Sequence, residues 1–355
     1  MATEWMIYGA SGFTGQLAAR EAIRRGHRPI LAGRSADGVR SLAAELNLPH
    51  AVFDLSDAAV VRRNVRGLRA VLHCAGPFVH TGEPVMRACL AEGAHYLDIT
   101  GEIPVFQKAS SLHGEAVNAG VTLLPGVGFD VIPTDCMARY VATRLPGATR
   151  LELAFAAVAS PSPGTARSMV EMLPSGTMVR QEGNLVSIPP GQDGRMIRFS
   201  DKERHCIPVS WGDLETAVHT TGLKDITAYM AFPRVLARAI RWTGPLLQSI
   251  FRVDLLRNAA GAAAHFLASG PNSKEQSLGR SYVYACASND REKKEAWLET
   301  MEAYAFTARS AVLAAERTVS SGLRGYFTPA LAFGEDFVLQ IEGSIRSEQA
   351  GDRDS

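Results

Sequence analysis

The residues best suited to chemistry in this chain are seven in a row, Gly9-Ala10-Ser11-Gly12-Phe13-Thr14-Gly15. Gly9 permits a tight turn. Gly12 removes a side chain where backbone must approach an anion, and Gly15 lets a helix pack closely on the preceding strand. Free N–H groups and the positive end of a helix dipole would then face a pyrophosphate. The spacing is G-x-x-G-x-x-G rather than G-x-G-x-x-G, so the flanking residues decide. Before the turn, Trp5-Met6-Ile7-Tyr8 is an apolar run fit for a buried strand; after it, Leu17, Ala18, Ala19, Ala22 and Ile23 recur at helical spacing until Gly26. Strand, glycine turn and helix in that order predict a dinucleotide cradle with Ser11, Phe13 and Thr14 at its mouth.

The next strand, Pro29-Ile30-Leu31-Ala32, runs into Gly33-Arg34-Ser35. A site for NAD usually places Asp or Glu here to accept from the ribose 2′-OH. This chain offers Arg34, whose guanidinium can grip a 2′-phosphate bidentately, with Ser35 as a second donor. NADP(H) is therefore the expected cofactor.

Hydride transfer also needs a proton donor and a partner for developing charge. The candidates are Asp98 and Glu102, four apart around Thr100-Gly101, and Asp130 in a glycine-flanked turn. Two of them have a structural alternative. Asp130 can bond its own turn, and Glu102 can brace a neighbouring loop.

Positioning these groups requires alternating elements. Strands are predicted at 51–53, 70–75, 95–99 and 121–124, with helices at 39–46, 58–65, 84–92 and 105–118. That period predicts an α/β fold, a Rossmann-type doubly wound parallel sheet whose ligand crevice lies beyond the carboxyl ends of its strands. Asp54-Leu55, Ala75-Gly76-Pro77-Phe78, Gly128 and Phe129 fall at those ends and join the cofactor-binding set. Near Pro146 the character changes. Candidate strands at Leu151–Ala159, 196–199, 226–230 and 281–287 predict a second α+β substrate domain with a mostly antiparallel sheet. The expected boundaries are 1–147 for the NADP-binding domain, completed by 303–343, then 148–302 for substrate and oligomerisation, and a flexible tail at 344–355.

The composition excludes several classes. A net charge of +1 gives no electrostatic reason to expect nucleic acid. Five scattered cysteines without a CxxC pair fit a reducing compartment and no zinc site, and the nine histidines form no HExxH. A strand starting at residue 5 leaves no room for a signal peptide, and no apolar run suffices to span a bilayer, so a cytoplasmic location is expected. None of the eight tyrosines is followed four residues later by lysine, which excludes the Tyr-x-x-x-Lys dehydrogenases.

Five segments together resemble the saccharopine-dehydrogenase-like oxidoreductases, and among them the bacterial trans-acting enoyl reductases. They are the glycine turn with Ala32-Gly33-Arg34-Ser35; Ala75–Phe78; Tyr96–Glu102; Pro125-Gly126-Val127-Gly128-Phe129-Asp130-Val131-Ile132-Pro133-Thr134-Asp135; and Trp211-Gly212-Asp213. The resemblance spans about residues 5–310 and implies NADPH-dependent hydride transfer to a C=C or C=N bond. Large apolar residues from Phe232 to Phe251 suit an apolar or carrier-bound small-molecule substrate, a homodimer interface, or plain core. A saccharopine-type imine chemistry would use arginines such as Arg167, Arg180, Arg195 and Arg198 on substrate carboxylates. Arg234, Arg238, Arg241 and Arg252 beside the apolar residues also allow peripheral membrane contact, either by an enzyme of lipid metabolism or by a non-catalytic NADP-binding protein at lipid surfaces.

Overall fold

A computed structural model of the chain describes residues 5–157, 161–172, 174, 176–268, 270–272 and 278–349. In chain order the elements are β1 (Trp5–Tyr8), α1 (Phe13–Arg24), β2 (Ile30–Gly33), α2 (Ala36–Leu46), β3 (His50–Val52), α3 (Ala58–Val65), β4 (Ala70–His73), α4 (Phe78–Glu92), β5 (His95–Asp98), α5 (Ile103–Ser111), α6 (His113–Ala119) and β6 (Thr122–Leu124). Then follow α7 (Ile132–Arg144), β7 (Arg150–Ala157), α8 (Pro163–Met172), the hairpin β8 (Thr177–Gln181) and β9 (Asn184–Ile188), β10 (Arg195–Arg198), β11 (Glu203–Pro208), α9 (Asp213–Thr221) and β12 (Asp225–Ala231). The chain continues through α10 (Arg234–Phe251), α11 (Asp254–Leu267), β13 (Arg280–Ser288), β14 (Lys293–Met301), α12 (Ala303–Ser320), β15 (Gly325–Tyr326), α13 (Pro329–Phe333) and β16 (Ile345–Ser347).

The chain divides into two compact units, residues 1–130 with 304–332, and residues 131–303 with 333–355. The first holds a seven-stranded sheet in the order β15-β6-β5-β4-β1-β2-β3, parallel throughout. This is the doubly wound 3-2-1-4-5-6 order with β15 added at one edge, and its crossover switch falls between β1 and β4. The central strands β1 and β4 are buried at every residue, as a sheet covered on both faces requires. The helix predicted over 105–118 is two helices, divided at Leu112.

The second unit has a nine-stranded sheet, with β10-β11-β12-β7-β13-β14-β16 in line and the β8–β9 hairpin attached to β12. Among the described residues of this sheet, only the β7–β12 pairing is parallel. The division falls at Asp130, not at 147, because α7 packs on β7, β13 and β14 of this sheet. Buried Asp135 of α7 accepts from the Thr220 hydroxyl on α9 at 2.5 Å, which ties both helices together. The hairpin, β11 and β14 escaped the sequence reading. Within the expected tail, residues 345–347 form β16 against β14, while 350–355 lie outside the described residues, as do positions 158 and 159 of the predicted strand.

Candidate cofactor site and its carboxylates

The glycine turn sits at the switch point. The N–H groups of Gly9 and Ala10 both donate to the Ala32 carbonyl, at 2.8 and 3.0 Å, which closes the turn over the end of β2. Gly9 has φ +84°, and a Cβ there would meet Ala75 Cβ at 2.8 Å, so the loops after β1 and β4 touch. At Gly15 a Cβ would stand 2.2 Å from the Gly9 carbonyl oxygen, and only glycine lets α1 approach so closely. Gly12 differs, being exposed with ordinary backbone angles. As N-cap of α1 it provides no side-chain acceptor, and the first turn carries no acid. The amides of that turn are therefore available to an anion. Half-buried Phe13 packs edge-on against Tyr304 at 5.0 Å, and Thr14 follows it on the opening turn.

A second group of donors suited to an anion lies at the end of β2. Arg34 is exposed and makes no hydrogen bond or ion pair among the described residues. Beside it, Ser35 is the N-cap of α2, with no hydrogen bond from its side chain to the helix. The Ser35 and Ser11 hydroxyl oxygens lie 3.2 and 3.4 Å from one point, the place a Cβ on Gly38 would occupy. Two hydroxyls and a helix N-terminus thus meet at one corner next in sequence to Arg34, opposed by Asp37 in the first turn of α2. Asp54 is exposed and accepts from the Ser56 N–H; that turn, with a smaller pull from Arg34, holds its carboxyl below the usual range. Leu55 packs against the core.

The three carboxylates have different surroundings. Asp98 is fully buried at the end of β5. It accepts from the Tyr96 hydroxyl at 2.6 Å, the Thr100 N–H at 3.0 Å and the Gly126 N–H at 2.9 Å. Burial raises its pKa to about 6 against the pull of those bonds. Glu102 turns both oxygens to the start of α4, accepting from Phe78 N–H at 2.9 Å and Val79 N–H at 2.7 Å. It thereby caps the helix that follows Gly76-Pro77. Asp130 is only partly buried. Its carboxyl oxygen lies 3.3 Å from where a Cβ on Gly101 would be, and burial, then the charge of Glu102, raises its pKa to about 7.

Residues 5–124 match the family described as the saccharopine dehydrogenase NADP binding domain. The first unit carries an NADP-binding domain of the saccharopine dehydrogenase type. A saccharopine dehydrogenase-like oxidoreductase of Homo sapiens is 32% identical over 165 residues, 40% of this chain and 38% of its own. A putative trans-acting enoyl reductase of Mycobacterium tuberculosis is 34% identical over 183 residues, 47% of this chain and 43% of its own. The chain thus spans about two-fifths of the length of the curated relatives it matches. Among solved structures, saccharopine dehydrogenase (L-Glu forming) of Saccharomyces cerevisiae superposes with TM-score 0.64 over 96% of both chains at 12% identity. Homospermidine synthase of Legionella pneumophila gives the same TM-score over 98% of this chain and 92% of its own, at 11% identity. These two likenesses establish the fold.

The residues of the NADP-binding domain fit its cofactor. Gly9, Gly12 and Gly15 leave room for a pyrophosphate, and Ser11, Arg34 and Ser35 make up an uncommitted corner that would suit a 2′-phosphate. Ala75, Gly76, Pro77 and Phe78 follow β4 across the switch point, with Pro77 and Phe78 buried at the start of α4. Gly128 and Phe129 are buried against α12 instead. A Cβ on Gly128 would meet Thr307 Cγ2 at 2.9 Å, and the Phe129 N–H donates to Thr307 Oγ1 at 2.9 Å. Sequence reasoning missed Thr307 and Ser310, whose hydroxyls hold the 126–130 loop from α12. Nothing local marks them, since Thr307 lies 178 residues from Phe129. The Tyr96–Asp98 bond was readable, because residues two apart on a strand share a face.

Proposed function

We propose that the protein is an NADPH-dependent oxidoreductase that reduces a carbon–carbon double bond conjugated to a carbonyl, on an apolar or carrier-bound chain. One observation carries the reading: a partly buried carboxyl, Asp130, with its pKa raised to about 7, at the carboxyl edge of the sheet that holds the dinucleotide cradle. Bound NADPH would supply a hydride to the carbon distal to the carbonyl. Protonated Asp130 then delivers its proton to the carbon next to the carbonyl, leaves as carboxylate, and regains a proton from solvent. A pKa near the working pH suits that exchange. Asp98 acts on position alone, joining the 100–102 and 126–130 loops through two backbone N–H groups. Glu102 fixes the start of α4, and its charge helps keep Asp130 protonated.

The names of the mycobacterial relatives support the enoyl reading. The second unit speaks against a saccharopine-type dicarboxylate clamp. Its polar cleft of about 890 Å³ is lined by Arg150, Arg180 and Arg195. Arg180 donates to the Leu214 and Gly183 carbonyls and pairs with Glu215, Arg195 pairs with Glu152, and Arg150 pairs with Asp290. Guanidiniums so engaged are poor receptors for substrate carboxylates. The test follows NADPH loss with enoyl thioesters of several chain lengths, and separately with an amino acid plus an oxo acid. Turnover of the enoyl thioesters is expected. Turnover of the amino-acid pair alone would replace this reading with imine reduction.

A further inference from the structure

Between Asp225 and Asp254 the chain has four arginines, Arg234, Arg238, Arg241 and Arg252, and no acidic residue. Helix α10 fills most of that stretch. Its packed side is marked by Gly244, where a Cβ would stand 2.7 Å from Pro190 Cβ, and by buried Ala237. On the opposite side Val235, Trp242, Leu246 and Ile250 line up as one stripe at 3.6 residues per turn. The stripe faces outward, with Trp242 83% and Val235 79% exposed. Helix α11 repeats the pattern through Leu255, Ala259, Ala262 and Phe266, and Phe266 is 88% exposed. Arg234, Arg238 and Arg241 run along one flank of the α10 stripe. Soluble surfaces seldom leave an apolar face of this extent open unless it meets a partner.

We infer that α10 and α11 form a docking surface for an anionic lipid bilayer, lying flat in the headgroup region. The apolar stripes reach the acyl boundary, and the arginines meet lipid phosphates. Trp242 suits that depth, because its indole is apolar with one polar N–H. Neither helix is long and apolar enough to cross a membrane. The charge pattern selects the occupant. The one carboxylate on the two helices, Asp254, is paired with Arg257 at 2.7 Å. That leaves Arg234, Arg238, Arg241 and Arg252 to attract anionic headgroups, and across an interface with a second copy of the same face they would repel one another. The inference stands apart from the reaction proposed above.

The full chain is to be sedimented with mixed phosphatidylcholine–phosphatidylglycerol vesicles and with phosphatidylcholine alone. Binding to the mixed vesicles is expected, with a blue shift of tryptophan emission that Trp242→Phe removes. Trp242→Asp combined with Leu246→Asp should lower partition by about tenfold or more, since both side chains would sit in the apolar layer. Arg234→Gln, Arg238→Gln and Arg241→Gln together should cost about fivefold per charge on mixed vesicles only. Unchanged NADPH binding in each variant reports an intact fold. Absent partition of the wild type, or partition indifferent to both sets of changes, overturns the inference. So does light scattering that shows a wild-type dimer broken by the double aspartate variant, because a second copy would then cover this face.

Discussion

Gly12 and Gly15 stand three residues apart in one turn, yet substitutions there should fail in opposite ways. At Gly15 an added Cβ falls 2.2 Å from the Gly9 carbonyl oxygen and 2.8 Å from Ala10 Cα. Both are backbone atoms of a turn bonded to β2, so neither can swing aside, and α1 must shift away from β1. Overpacking of this kind costs about 3 kcal/mol or more, and a domain of this size loses about 2–4 °C of Tm per kcal/mol. Gly15→Ala should therefore melt roughly 6–12 °C below the wild type without ligand. At Gly12 the Cβ meets one backbone atom, the Gly9 oxygen, at 3.2 Å, and the position is exposed with φ −73°. Relief of a few tenths of an ångström and the poorer N-cap together cost about 1 kcal/mol. The new methyl would stand where the pyrophosphate must approach, so Gly12→Ala should keep its fold and lose NADPH affinity at least about tenfold. Gly12→Val should abolish binding of either cofactor. Differential scanning fluorimetry on apo protein, beside NADPH fluorescence titration, separates the two failures. Wild-type affinity in Gly12→Ala would refute the phosphate approach, and a wild-type Tm in Gly15→Ala would refute the close helix–strand contact.

Arg34→Ala should weaken NADPH binding about 10–30-fold and NADH binding little, the charge-assisted contact being discounted for an exposed arginine; equal losses in calorimetric titration would remove Arg34 from the 2′-phosphate. Asp130→Asn should lower kcat at least about 100-fold, and in the wild type the rate of reduction should fall above about pH 7 as Asp130 loses its proton. Stability falls over the same pH range, but the substitution should raise it. A carboxyl whose folded pKa is raised to about 7 favours the fold below the unfolded value and loses that contribution as pH rises through 7, so Asp130→Asn should melt higher than wild type at pH 8. A pH-independent rate, or a lower Tm of the variant at pH 8, would contradict this. Buried His73 has its pKa lowered to about 3 by burial, so between about pH 6.5 and 3 only the unfolded chain takes up its proton. His73→Phe should flatten the loss of stability from pH 6 to 4.5 by about 1 kcal/mol per pH unit, read by urea melts; parallel slopes would show that His73 is not the group responsible.

The first unit was readable because each of its signals is local. Four buried apolar residues before Gly9, helical spacing after Gly15 and the absence of a carboxylate at Arg34 lie within thirty residues of one another. The sheet order then follows from right-handed crossovers between parallel strands. Distant partners decided the rest. Asp98 and Glu102 looked like acids because acidic side chains at strand ends are where proton donors sit. Their bonding partners, at 126 and at 78–79, are defined only by the folded chain. The domain boundary shifted to Asp130 for the same reason, since α7 carries no mark in its own sequence of the sheet it will cover. The apolar residues of α10 expose the limit of pattern reading most clearly. A stripe at helical spacing says that one face avoids water, and is silent on what lies against that face. Here the packed side is set by Gly244 meeting Pro190, which leaves Trp242 in solvent. An apolar stripe that the fold does not cover must be covered by something else. The arginines along its flank, unbalanced by any acid from 226 to 253, point to the chemistry of that cover.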